Sequence, residues 1–390
     1  MRIVLAVSRF PWPARRGNDL RTLQMADALS TAHQVTVLVP QGVAAPPAGL
    51  PYAVELYRRT ARDRGLGLLR AVVGGPLQSG LYASADLVRR LRAAARRSDL
   101  VVLQLVRLGR LANLVGDRPL LVDLVDSLAL NFAQRATLDR LAWRPFLHAE
   151  ASRLRAAERD LIRRSRATLL VCERDREHLA VIVPERDAAR LRVVPIAVVA
   201  PATLPAAPGH ARPTIALTGN LGYFPTREGA RWWLREVWPE LSRRHSGLRL
   251  LLAGSRPPAP LRRELERAGG ELHESPPDLQ AVLGQATLAI APARCGSGVP
   301  IKVLEAWAAG VPVVAARWSA AGTAGVPGED LLVAEGAGEW IAAVDRLLGD
   351  PGLRRRIAGS ALACLRREYA PQRVREAMLE AVAAAAAAPG

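Results

Sequence analysis

Short runs rich in Val, Ile and Leu recur along this chain, separated by amphipathic helical text, and the pattern starts twice. A stretch dense in Pro and Ala, "PIAVVAPATLPAAPGHARP", divides the two series. Strand and helix signals in alternation predict a doubly wound α/β sheet, so two series predict two such domains. In the first half, strands are expected at 3–8, 34–39, 100–105, 120–124, 167–172 and 191–194, with a helix at 19–30 capped by Asn18. In the second half they are expected at 214–218, 248–253, 288–291 and 311–315. Helices at 227–241, 261–268, 279–284 and 300–309 separate those strands, and helices at 339–348, 353–367 and 371–386 close the chain. The expected domains are 1–195 and 214–370, joined by a linker at 196–213. Residues 371–390 form a last helix directed back towards the first domain, with a frayed Ala-rich tail. Two such domains imply a cleft, and open parallel sheets bind ligands at the carboxyl ends of their strands.

A length of 390 residues suits two domains, and an apolar half of the composition supplies two cores. The formal charge of +18 suits a polyanionic partner: nucleic acid, an anionic lipid surface or an anionic small substrate. The arginines recur in short clusters such as Arg58/Arg59, Arg89/Arg90/Arg92, Arg96/Arg97, Arg163/Arg164 and Arg354/Arg355/Arg356. Spread of that kind reads as solvated helix faces rather than a nucleic-acid stripe. The opening "RIVLAV" runs into "SRFPWP" and reads as a buried strand, not a signal peptide, and prolines interrupt the longest uncharged stretch. A cytoplasmic protein, at most peripheral to a membrane, is expected. Cys172, Cys295 and Cys364 lie far apart and the six histidines form no close pair, so neither a disulfide framework nor a metal site is expected.

Among all its Lys and Arg positions the chain holds a single lysine, Lys302, in "GSGVPIKVLEAWAAGVPVVA". Pro300 suits the first position of the helix there, which puts Lys302 in the first turn. A cation in that place opposes the helix dipole by about 0.3–1 kcal/mol, and a pair with Glu305 returns only about 0.2–0.5 kcal/mol. A bound phosphate reverses the balance, because ammonium, dipole and loop amides then attract one anion. Codon bias is the bland alternative. Glu305 is an isolated carboxylate in apolar text: either the exposed edge of its helix or an acceptor for ligand hydroxyls. Gly17, ahead of the first helix, is a turn glycine or a phosphate contact, and the surrounding text lacks the GxGxxG pattern of nicotinamide and flavin enzymes.

The stretch "APARCGSGVPIKVLEAWAAGVPVVA" resembles the donor-binding motif of the retaining glycosyltransferases of family four, which have the GT-B fold of two facing Rossmann-like domains. "PWPARRGNDLRTLQMADALS" resembles that family's N-terminal glycine loop, and "LTGNLGYFPTREGARWWLREVWPEL" the start of its C-terminal domain. "GEDLLVAEGAGEWIAAVDRLLGDPGLRRRI" resembles its closing region. "GNLGYFP" with "GSGVPIKVLEA" is most similar to the subgroup of bacterial surface-polysaccharide clusters. The resemblance implies a nucleotide-diphospho-sugar on the C-terminal domain, with Glu305 on the ribose hydroxyls and Gly296, Ser297, Gly298, Val299 and Lys302 on sugar or phosphate. It implies further donor contacts at Gly219, Asn220, Arg227 and Arg294, and Gly17 facing the diphosphate from the other domain. No metal and no cofactor beyond the donor are implied.

The sequence departs from the family pattern at several places. Ser297 stands where the common form has a second glutamate, and Gln104 where a histidine is frequent. Asn220 and Pro225 replace the usual Arg and Lys, leaving Arg227 as a displaced candidate, and Ile196 and Ala197 replace an Asn-Gly turn. The candidate catalytic residues are Asp126, in "LVDLVDS", and Gln104; Asp126 could equally be a helix cap. Arg107, close to Gln104, reads as a surface side chain, with a place in the site as the alternative. Trp232, Trp233 and Trp238 lie at helical spacing and read as core rather than a sugar platform. The expected function is sugar transfer to a growing, lipid-linked glycan, with nucleotide sugar, glycan acceptor and an anionic membrane surface as partners, and no nucleic acid. A nucleotide-sugar 2-epimerase, a catalytically silent GT-B binding protein and an arginine-rich nucleic-acid binder are the alternatives.

Overall fold

Each expected apolar run is a strand in the computed structural model, which describes residues 1–14, 16–42, 44–72, 75–205 and 212–387. The first sheet contains β1 (Arg2–Ala6), β2 (Gln34–Pro40), β3 (Ala53–Tyr57), β4 (Leu100–Gln104), β5 (Leu120–Val125), β6 (Ala167–Leu170) and β7 (Leu191–Val193). The second contains β8 (Thr214–Asn220), β9 (Arg249–Ser255), β10 (Glu271–Glu274), β11 (Leu288–Ala291), β12 (Val313–Ala315) and β13 (Leu332–Val333). Their spatial orders are β3-β2-β1-β4-β5-β6-β7 and β10-β9-β8-β11-β12-β13, and the ladder pairs run parallel. Each sheet is therefore wound outwards in both directions from one central pair, β1/β4 and β8/β11. Helices cover both faces, so strands β4 and β5 are buried at every residue.

Three strands had no clear signal in the sequence. β3, β10 and β13 all end their sheets and are half-exposed or very short, so they carry no continuous apolar run. Pro239 accounts for another difference. The helix expected at 227–241 is two helices, Phe224–Glu236 and Trp238–Arg244, because Pro239 lacks the N–H of a continuous helix and opens the second one.

The chain forms two compact units, Met1–Ile196 with the segment from Gln372 onward, and Ala197–Pro371. The helix Pro371–Ala387 thus belongs almost wholly to the first unit. Much of the stretch expected as a linker is part of the second unit. Val198, Ala200 and Leu204 pack on its core, and the Val198 amide donates to the Tyr369 carbonyl at 2.9 Å. Residues 206–211 of that stretch, and the last three residues of the tail, lie outside the described residues. No helix among the described residues is long and apolar enough to cross a membrane. All three cysteines are buried thiols.

Two strand exits in the first unit hold bulky residues at positive φ: Leu105 after β4 (66°) and Val125 at the end of β5 (65°). Such backbone costs about 1–3 kcal/mol per residue and persists only where surroundings enforce it. At β5 the enforcement is visible. The Ser127 hydroxyl donates to Glu158 at 2.9 Å, the Ala129 amide donates to Glu158 at 3.1 Å, and the Ser127 amide donates to Asp175 at 3.0 Å. Both carboxylates are fully buried.

Burial pushes the Glu158 carboxyl up to about 8, against the hydrogen bonds from Ala129 and Ser127 and with the neighbouring charge of Asp126. The folded chain therefore keeps a proton that the unfolded chain releases at ordinary carboxylate pH. Stability from that proton is present in acid and lost as pH rises through about 8. We expect the melting temperature of the native chain to fall between about pH 5 and pH 8.5, and the Glu158→Gln variant to lose much less. Parallel thermal denaturation of both across that range checks this; identical slopes would contradict it.

Candidate functional site

In the second sheet the chain departs in opposite directions from β8 and β11, and a crevice forms at the carboxyl ends of such a pair. β8 ends on Gly219 and Asn220. Gly219 has φ +119°, and a Cβ there would lie 3.3 Å from Cε of Lys302. A Cβ on Gly254 at the end of β9 would come within 1.7 Å of the Gly219 carbonyl oxygen. Two bare backbones thus lie side by side, and the lysine stem passes over one of them.

The loop after β11 turns through Gly296 (φ +123°) and Gly298 (φ +72°) before the helix Ile301–Ala308. The Trp318 indole donates to the Gly296 carbonyl at 2.7 Å and holds the loop from the far side. Pro300 is at the cap position rather than the first helical one, since its ψ of 89° is not helical. Lys302 is still in the first turn. Its Nζ donates to Thr226 Oγ1 at 2.9 Å, and Thr226 is a buried residue in the first turn of helix Phe224–Glu236. Glu305 follows one turn later, half-buried like Lys302.

Although each residue keeps some exposed surface, the charged ends of the pair are largely enclosed by protein. Burial lowers Lys302 to about 8, although Glu305 pulls the other way. Burial raises Glu305, and Lys302 lowers it again. The displacement of Lys302 corresponds to a penalty on the order of 3 kcal/mol on its charged form. An anion at the crevice would offset that penalty. Arginine, larger and planar, would have to pass the same bare backbone, which gives a packing reason for lysine at this one position.

The structure brings Gly219, the 296–299 loop, Lys302 and Glu305 together on one side of the second unit. Asn220 accepts from the Gly222 amide at 3.1 Å, which shapes the exit from β8. Arg227 lies with its guanidinium 5.6 Å from the Phe224 ring centroid. Arg294 is paired with Glu228 and stacked 4.9 Å from Trp232, so its charge is matched inside the unit and it pins the loop. Trp233 and Trp238 are core residues, as their spacing suggested. Thr226, Glu228 and Trp318 had no motif of their own; only their packing around Lys302 and the loop marks them.

In the first unit the corresponding crevice lies between β1 and β4. Gly17 opens the helix Gly17–Ser30, whose cap position is Arg16; Asn18 is inside the helix and is not the cap. Gln104 is 2% exposed, its amide oxygen accepting from Thr22 at 2.6 Å and its amide nitrogen donating to Asp123 at 3.2 Å. Each end of its amide is thus engaged inside the unit, and it helps to position Asp123. Asp123 in turn receives two hydrogen bonds from the fully buried Arg21, which also donates to the Val194 carbonyl. Asp126 is half-buried at the end of β5, and the capping role falls to Ser127. Arg107 is not a surface side chain: it is 8% exposed. Among the described residues no group of His, Cys, Asp and Glu is gathered as a metal site.

The two units and their strand orders define a GT-B fold. HepE from Anabaena, solved with UDP-glucose, has this fold at a TM-score of 0.69 and 14% identity, covering 98% of this chain and 99% of its own. Sucrose-phosphate synthase from Thermosynechococcus elongatus is similar at a TM-score of 0.70 and 16% identity, over 97% and 98% of the two chains. A trehalose-phosphate synthase from Burkholderia vietnamiensis is similar at 0.66 and 13%, over 97% and 99%. Residues 212–350, within the second unit, match the family model described as glycosyl transferases group 1. No curated protein sequence matches the chain.

Because Lys302 is the sole lysine, its titration can be read directly. Protein grown with lysine labelled at Cε should give one side-chain carbon resonance that titrates with a midpoint of about 8. A midpoint near the ordinary 10.5 would show the ammonium to be solvated and its placement beside Thr226 wrong.

Proposed function

We propose that the protein is a glycosyltransferase that moves a sugar from a nucleotide-diphospho-sugar to an acceptor hydroxyl, with retained anomeric configuration and without a metal. The observation that carries this reading is the desolvated Lys302 at the β8/β11 crevice, hydrogen-bonded to Thr226 and one turn from Glu305. An ammonium kept there at a cost is a ready partner for a diphosphate. Departure of the nucleoside diphosphate places growing negative charge on the bridging oxygen, and a preorganised cation in a dry site stabilises that charge more than water does. Lys302 supplies it, with Arg227 as a second cation. Glu305 accepts from the ribose hydroxyls, and the 296–299 loop follows the sugar and phosphate. Asp126, at the carboxyl end of β5, is the acid proposed for the acceptor side. The glycine-loop motif supports the retaining outcome and a surface-glycan acceptor, and the group 1 match supports the transferase class. The UDP-glucose held by HepE makes UDP-sugars the first donors to test.

Thermal stabilisation by a panel of UDP-, GDP-, TDP- and ADP-sugars, followed by turnover with the best of them, tests the reading. One nucleotide series should raise the melting temperature. Lys302→Arg and Glu305→Ala should each weaken that donor about 10- to 100-fold, the effect of about 1.5–3 kcal/mol for a charged hydrogen bond, while the free variants stay folded. A panel with no stabilising member, or unchanged affinity in both variants, would overturn the proposal.

A further inference from the structure

The first unit contains a cationic cluster that the donor chemistry does not use. Arg9 follows β1, Arg59 follows β3 and Arg107 follows β4, so all three leave the carboxyl edge of the sheet. Their guanidinium carbons lie 5.9, 5.3 and 4.8 Å from the ring centroid of Tyr82. Arg9 also donates to the Tyr82 hydroxyl at 3.2 Å. Among the described residues none of the three forms a salt bridge, in a chain where many arginines do.

Arg107 is the unusual member. Its Nε donates to Gln78 Oε1 at 3.0 Å, yet its Nη1 is buried with no hydrogen-bond partner. Burial first, and Arg9 next, lower it to about 10, so it stays charged at neutral pH. The surroundings hold it in place. The buried Glu150 accepts from the amides of Leu77 and Gln78 at 3.1 and 3.3 Å, which fixes the residue that anchors Nε. The positive φ of Leu105 turns the chain out of β4 just before Arg107. Strained backbone, a buried carboxylate and an unsatisfied guanidinium N–H converge on one side chain. Folding alone does not call for that, because an unpaired buried charge is costly unless an anion completes it.

We propose that Arg9, Arg59, Arg107 and the Tyr82 hydroxyl bind a phosphate or diphosphate group carried by the acceptor, with Arg107 as its buried anchor. One guanidinium fork satisfies a carboxylate, whereas three with no acid in salt-bridge contact, Asp126 acting on Arg107 only from further off, suit an anion of higher charge and more oxygens. That the anion belongs to an acceptor rests on the glycosyltransferase reading; the anion site itself does not. The same phosphate chemistry could come from a lipid-linked diphosphate or a soluble phosphorylated sugar.

Isothermal titration of the full chain with inorganic pyrophosphate tests the site, run in a Lys302→Met background to remove the donor-side cation. One saturable site is expected, weakened at least tenfold by Arg107→Lys and by Arg59→Ala. Arg59 is exposed, so its removal does not disturb the core even if Arg107 variants fail to fold. No saturable pyrophosphate binding, or binding unchanged by Arg59→Ala, overturns the proposal. Sedimentation with phosphatidylcholine vesicles, with and without a long-chain polyprenyl phosphate, separates the sources: selective capture identifies a lipid-borne anion. Pyrophosphate binding without capture identifies a soluble one. Pyrophosphate binding with no response to any nucleotide sugar would leave the anion site standing and remove the transferase reading.

Discussion

Parallel pairing outwards from a central pair of strands is the constraint on which both units depend. It places the two connections that leave β1 and β4, and the two that leave β8 and β11, on opposite faces of their sheets, so the carboxyl edge opens between them. Gly219, the 296–299 loop and Lys302 belong to one such opening. Gly17, Arg9 and Arg107 belong to the other. The sheet interiors carry the hydrophobic stabilisation, about 1.5–3 kcal/mol for each large aliphatic side chain fully buried. The edges are thereby free to hold charges that a core could not tolerate.

Those charges fall into two kinds. Arg21 and Asp123 form a fully buried pair with good two-point geometry, extended by Gln104 and the carbonyls of Val194 and Pro195. Such a pair adds little net stability over an apolar core, but loss of either partner costs about 3–5 kcal/mol, so it serves to fix the first helix against β5 and the end of β7. Lys302 and Arg107 are of the second kind. Each is desolvated, each has one neutral hydrogen-bond partner, and neither is matched by an adjacent carboxylate in a salt bridge. The difference separates charges that complete the fold from those to which the proposals above assign a ligand.

The legibility of the sequence followed burial. β4 and β11, covered on both faces, were plain from their apolar runs, whereas β3, β10 and β13 were missed because edge strands need no such run. Lys302 was conspicuous because it is the one lysine and its place opposes the helix dipole. Thr226 was not, because a threonine after a proline has many uses and its bond to Lys302 spans 76 residues of sequence. The surroundings of Gln104 and Arg107 were hidden for the same reason. A Gln in a histidine's place says nothing of what holds it, and an Arg in an arginine-rich chain looked like surface; their partners, Thr22, Asp123 and Gln78, are distant in sequence.

By itself the sequence determined the class of fold, the two-unit plan, the glycine loop and the lysine in its helix, because these depend on local periodicity and on backbone freedom at a few glycines. Tertiary structure alone decided which charges are neutralised. Arg294 and Arg107 have identical side chains, but one meets Glu228 and the other meets no acid in a salt bridge. A charge is paired or left waiting according to which side chains the fold places around it, and no local pattern in the chain carries that information.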